Sequence, residues 1–225
     1  MIFSSATGHT HWLPSSSVFL VAALALLFPA TADAQQQPAP PGPFAIDARG
    51  ALVRLKPSGT TAGAIGVPES SLPGLGLGVD LGAHWYVLRS RKITLGVGAS
   101  VLVSRGRETP TDEEGQPTGP TIETRFITIA PQVSLNFGTS RGWSYLSGGL
   151  GRSVYDTRLA ETPVDNTRKA RTVNYGGGAR WFAKPHLAFA LDLRFYAVDG
   201  QAATDTLVAT DRVTLMVFSL GVAFK

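Results

Sequence analysis

The sequence predicts an all-β fold class, an eight-stranded antiparallel up-and-down transmembrane β-barrel, and three observations carry that expectation. The first is an alternation at period 2. In Leu75 to Leu88, LGLGVDLGAHWYVL, Leu75, Leu77, Val79, Leu81, Ala83, Trp85 and Val87 share one face of a strand. The opposite face carries Gly76, Gly78, Asp80, Gly82, His84 and Tyr86, too small and too polar for a soluble core. The second is a rhythm in the connections, which run long, short, long, short along the chain. The third is composition: of 225 residues only 16% are charged, 25 are Gly and none is Cys. A chain without Cys has neither a disulfide framework nor a thiolate metal site.

The elements follow in order. Val18 to Phe28 is an apolar run too short to span a bilayer as a helix, which takes ~20 residues. Pro29 and an A-x-A site at Ala32–Ala34 follow it, so 1–34 reads as a secretory signal peptide, although no Lys or Arg precedes the run. Residues 35–43, rich in Gln and Pro, read as a flexible leader. The barrel domain is expected over 44–225, with strands at roughly 44–55, 74–88, 93–106, 124–137, 143–157, 171–183, 187–198 and 212–224. Each suits a tilted membrane strand of ~9–11 residues with some overhang. No helical period is evident after the signal peptide. The long gaps are SGTTAGAIGVPESSLP, ETPTDEEGQPTGPT, AETPVDNTRKA and DGQAATDTLVATD; the short ones are RSRK, GTSRG and AKPH. Transmembrane barrels have long extracellular loops and short periplasmic turns, which puts both termini on the periplasmic side.

Membership of a lipid environment explains the alternation. Inside a bilayer every backbone N–H and C=O must be paired within the protein, so a spanning sheet has to close on itself. Its outer face must then be apolar. The third strand repeats the scheme with Ile93, Leu95, Val97, Ala99, Val101 and Val103 outside, and the seventh with Leu187, Phe189, Leu191, Leu193 and Phe195. An interior closed by eight strands is only wide enough for packed side chains, and the inward glycines leave room for larger neighbours.

Three stretches, YLSGGLGRSVY at Tyr145–Tyr155, NYGGGARWF at Asn174–Phe182 and LAFALDLRFY at Leu187–Tyr196, resemble the small outer-membrane β-barrel proteins of Gram-negative bacteria of the OmpA/OmpX type. The last strand is similar to that family's C-terminal assembly signal: Met216, Phe218, Leu220, Val222 and Phe224 alternate on one face, with Lys225 one residue past the usual terminal aromatic. The resemblance implies export through the signal peptide to the outer membrane. It also implies contact with outer-membrane lipids and lipopolysaccharide, and handling by periplasmic chaperones and the barrel assembly machinery. No peptidoglycan-binding domain is expected after the barrel.

Candidate functional residues are the inward charges. With these phases Asp80, His84, Arg180, Asp192 and Arg194 point into the lumen, joined by Asp47 and Arg49. Unpaired charges in so narrow a space are costly, so they are expected to form a packed ionic plug, with Asp192 able to bridge Arg194 or Arg180. A gate or narrow ion path is the alternative. Trp85, Tyr86, Phe137, Trp143, Trp181 and Phe182 gather beside the short turns, as an interfacial girdle does. Arg105, Arg107, Arg168, Lys169 and Arg171 near the long loops either pair with lipopolysaccharide phosphates or are solvated loop charge.

Other classes are disfavoured. The glycines of GLGLG and GGLG match neither G-x-G-x-x-G nor a P-loop, so no nucleotide cofactor is expected. A net charge of +4 without a dense basic run gives nucleic-acid binding little support. A lipid A-modifying enzyme needs a His beside a nucleophile at the extracellular rim, whereas His84 and His186 lie toward the periplasmic end. A lipocalin-like carrier needs an apolar interior. The expected role is therefore structural or adhesive, stabilising the membrane and displaying loops to an extracellular ligand without catalysis or cofactor. A narrow channel for small solutes is the second reading.

Overall fold

The computed structural model describes residues 40–90, 93–162, 169–202, 209 and 211–225. The expected signal peptide over 1–34, residues 35–39 of the leader and Arg168 lie outside the described residues. Eight strands are present: β1 (Phe44–Arg54), β2 (Leu75–Arg89), β3 (Thr94–Glu108), β4 (Ile122–Thr139), β5 (Gly142–Leu159), β6 (Ala170–Lys184), β7 (Leu187–Val198) and β8 (Val213–Phe224). Each pairs with its sequence neighbour, and the circle is completed by antiparallel β1–β8 pairing, with Ile46 opposite Phe224 and Arg54 opposite Met216. Closure leaves no strand edge without a partner, as a membrane span requires. No described helix is long and apolar enough to cross a membrane.

The expected strands are all present and in phase. The main difference in length is at β4 and β5, which each run to 18 residues and stand beyond their neighbours at the long-loop end. A second difference is the first long loop, which holds a short helix, α1 (Gly59–Ile65), and a 3₁₀ turn at Glu69–Ser71. Two helical turns are too few to print a 3.6 period on a sequence. Gly66 ends α1 in the left-handed region at φ 71°, and Val67 N–H donates to Ala62 O. Ala62 and Leu72 bury against Ile122 at the start of β4, with Leu159 of β5 beside them, so this loop is packed rather than loose. The end of the leader is also held: Pro41 is buried, and Tyr86 N–H donates to Pro43 O at 2.8 Å.

The two faces of the sheet differ sharply. Leu77, Leu150, Phe189 and Trp85 point outward and are 60–68% exposed. A continuous ring of such side chains far exceeds the apolar patch that soluble monomers tolerate, so it requires an apolar surrounding. The inward positions are filled by side chains. Toward the long-loop end Val53, Leu55, Leu102, Phe126, Tyr196, Leu215 and Val217 form an apolar layer.

At the short-turn end the structure corrects the expected aromatic girdle. Trp85, Phe137 and Trp181 do face outward, but Tyr86 and Trp143 are only 3% exposed and point inside, with Phe182 packed beside them. Consecutive residues on a strand face opposite sides, so Trp85–Tyr86 and Trp181–Phe182 cannot both supply two outward rings. The inward rings make a floor: Tyr86 meets Trp143 edge-on with centroids 5.9 Å apart, and Trp143 stacks on Phe182 at 5.0 Å. The Lys225 ammonium lies 3.7 Å from the centre of the Phe182 ring and donates to Ser140 O, closing the floor from beneath.

Candidate functional site in the barrel interior

Between the apolar layer and the aromatic floor lies a charged layer. The strand phases bring together all five lumen residues expected from the sequence, Asp80, His84, Arg180, Asp192 and Arg194, each 5% exposed or less. Asp47 and Arg49 of β1 complete the set, so three aspartates meet three arginines. The room comes from glycine. A Cβ on Gly82 would stand 3.2 Å from Asp47 Oδ2, and one on Gly178 would stand 2.7 Å from Tyr145 Oη. These charges are packed where side chains of their neighbours have been removed.

The pairing runs around and across the barrel. Arg194 Nε and Nη2 grip Asp192 at 3.1 and 3.0 Å. The rest of that guanidinium donates to Gln132 Oε1, Asn174 Oδ1 and Ser147 Oγ at 2.9, 2.9 and 2.7 Å. Arg49 sits 2.8 Å from Asp80 and 3.7 Å from Asp192. Arg180, which the sequence left free to meet Asp192, is instead held by Asp47 in a bidentate clasp of 2.8 and 2.6 Å. Asp192 and Arg180 sit on adjacent strands, but closure of the barrel swings Arg180 toward β1.

Tyr145 is the member that sequence reasoning missed as a site residue. Its hydroxyl accepts from Arg49 Nη1 at 2.8 Å and donates to Asp192 Oδ2 at 2.6 Å, and its ring lies 4.2 Å beneath the Arg180 guanidinium. One side chain thus links all three charge pairs. The signal was present: Tyr145 occupies an inward phase on β5, opposite Gly178 of β6. His84 has neither ring nitrogen hydrogen-bonded, and Asp80 Oδ1 and Arg49 Nε also lack a protein partner. Among the described residues no cluster of His, Cys, Asp and Glu is arranged to hold a metal. On β8 the residues of the expected assembly signal, Met216, Phe218, Leu220, Val222 and Phe224, lie on the outward face, alternating with buried Leu215, Val217, Ser219 and Ala223.

A closed eight-stranded barrel with an apolar exterior and a neutralised ionic interior has few settings. The family model for the outer membrane protein β-barrel domain matches residues 20–225. The chain belongs to the outer membrane β-barrel domain family. It is accordingly an integral protein of the outer membrane, its outward face in contact with membrane lipids. Among solved structures, neisserial surface protein A is similar over 82% of this chain and 97% of its own, at 14% identity and a TM-score of 0.52, which is a likeness of fold. The attachment invasion locus protein Ail of Yersinia pestis, in complex with the heparin analogue sucrose octasulfate, is 16% identical over 80% of this chain and 96% of its own, with a TM-score of 0.47. The outer membrane protease OmpT of Escherichia coli is 11% identical over 68% of this chain and 64% of its own, with a TM-score of 0.39. A comparison with curated protein sequences returned no match.

Proposed function

We propose that this outer-membrane barrel is a non-conducting, non-catalytic scaffold that stabilises the membrane and presents its long loops outside the cell. The observation that carries this reading is the layering of the interior. An apolar layer lies above the charges, an aromatic floor lies below them, and the carboxylates and guanidinium groups between are matched three to three. An ion entering from either side meets a desolvating layer first, and the charges beyond it are already engaged. The packed first loop, with α1 seated on β4 and β5, fits a surface that displays a defined shape. In this reading the outward residues of β8 are read by the assembly machinery, and periplasmic chaperones deliver the chain to it.

One observation favours the second reading, a narrow solute path. His84, Asp80 Oδ1 and Arg49 Nε carry unused hydrogen-bonding capacity in the charged layer, and such groups favour hydration. The two readings differ in conductance. Purified protein in a planar bilayer is expected to give no steps above background, and protease added to intact cells is expected to cut near Glu113 but not at Lys184. Frequent, resolved conductance steps from the unmodified protein would replace the scaffold by the channel, and cutting only at Lys184 would invert the orientation.

A further inference from the structure

Register places a band of guanidinium groups on the outward face of four adjacent strands at the long-loop end. Arg105 of β3 stands opposite Arg125 of β4, and Arg152 of β5 stands opposite Arg171 of β6. Between these pairs, Arg107, Glu123 and Arg158 lie side by side in one cross-strand row. Glu123 is 3% exposed because Arg158, Arg107 and Arg105 cover it at 2.8, 3.1 and 3.4 Å. One carboxylate beneath three guanidinium groups leaves positive charge over, and Asp156 answers only Arg158 at 3.1 Å. Arg125, Arg152 and Arg171 make no ion pair with a carboxylate among the described residues. Like charges directly opposite on a sheet repel, with Cβ atoms ~4.5–5.5 Å apart, so these pairs want an anion from elsewhere.

Their height says where that anion is. On β6 the outward Trp181 marks the short-turn boundary and Arg171 lies ten residues further on. At ~3.4 Å per residue and a tilt of ~40° this is ~25 Å of depth, the height of the apolar band of such barrels. The guanidinium groups therefore begin where the hydrocarbon ends. The outward faces of β7 and β8, LAFALDLRFYAV and VTLMVFSLGVAF, carry no charged residue at all, so the band belongs to one wall of the barrel.

We infer that the β3–β6 wall is a binding site for the phosphate groups of the outer-leaflet glycolipid, lipopolysaccharide, with Arg105/Arg125 and Arg152/Arg171 as two guanidinium clamps. Arginine suits this role because its planar fork donates two parallel hydrogen bonds to phosphate oxygens. The site rests on the orientation proposed above, with the long loops outside.

The test uses the folded full-length barrel in phosphatidylcholine nanodiscs, titrated with fluorescent lipopolysaccharide. Binding is expected to saturate and to weaken by about tenfold or more in R152Q/R171Q and in R105Q/R125Q, as loss of charge-assisted pairs implies. The Arg54→Gln variant on β1 is expected to bind as the parent does, and enzymatically dephosphorylated lipopolysaccharide is expected to bind no variant. Heat-modifiability on a denaturing gel verifies folding. Should a double variant not fold, R171Q alone, at an exposed position, is expected to weaken binding by about threefold. Unchanged binding by the folded variants would overturn the site, as would equal binding of phosphatidylglycerol or full competition by inorganic phosphate. Protease accessibility of the loops on whole cells tests orientation separately, so a barrel correctly oriented but indifferent to these substitutions refutes the site alone.

Discussion

Arg194 and Arg171 lie on neighbouring strands of one barrel and solve opposite problems. Arg194 points inward, where every donor it has finds a partner supplied by the chain: Asp192, Gln132, Asn174 and Ser147. Arg171 points outward and faces Arg152, another cation. The interior must carry its own counter-charge because nothing else enters it. The outer rim leaves counter-charge to its surroundings, and so its arginines are free to cluster. The same residue type is thus structural on one face of the sheet and available for recognition on the other.

That contrast is open to attack at several strengths. The largest expected effect is from Asp192→Ala, which strips Arg194 and Arg49 of a shared carboxylate and removes the acceptor of Tyr145. Breaking a buried pair from one side costs about 3–5 kcal/mol, measured as a shift in urea unfolding of the barrel in lipid vesicles. An Asp192→Ala protein as stable as its parent would mean that the interior hydrates its charges after all. Next is Leu191→Arg, which places a new cation on the outward face of β7, within the apolar band. It is expected to cost about 2–4 kcal/mol at the bilayer midplane, whereas Arg171→Leu at the rim should change stability by no more than ~1 kcal/mol. If both had equal effects, the boundary drawn between hydrocarbon and headgroups would be misplaced.

A smaller effect tests the packing that the charges depend on. Gly178→Val puts a side chain into the space of Tyr145 and is expected to cost about 1–3 kcal/mol by overpacking. Its companion Tyr145→Phe removes only the hydroxyl and should leave the ring beneath Arg180 in place, so the difference between the two separates volume from hydrogen bonding. The least effect is expected from Glu113→Ala with Glu114→Ala in the second long loop, within ~0.5 kcal/mol, since both acids are exposed there. A large loss at that site would show that the loop braces the barrel.

Much of the fold was legible because a lipid-facing surface and a packed lumen demand such different residues that one strand's phase is readable from a dozen letters. Leu187 to Val198 shows it: outward Leu and Phe alternate with inward Ala, Asp and Arg. Which lumen charges meet was not legible. Asp47 and Arg180 are separated by 133 positions and come together only through the closure of β1 on β8 and the stagger of the strands. Periodicity within a strand carries no information on that stagger. The aromatic floor was misread for the opposite reason, since Tyr86 and Phe182 were judged by their nearness to a turn instead of by their phase. The helix in the first loop was missed because two turns leave too short a pattern.

The long reach of the ionic layer has a kinetic consequence. Arg49 and Asp47 belong to the first strand, yet their partners Tyr145, Arg180 and Asp192 come from the fifth, sixth and seventh. Hairpins that form early from neighbouring strands cannot satisfy them, and loop-closure entropy defers such distant meetings to the end of assembly. Interactions made after the rate-limiting step slow the reverse reaction and leave the forward one nearly unchanged. The Asp47–Arg180 clasp therefore acts as a late-engaging bolt, which sets how long a finished barrel stays shut and not how fast it is built.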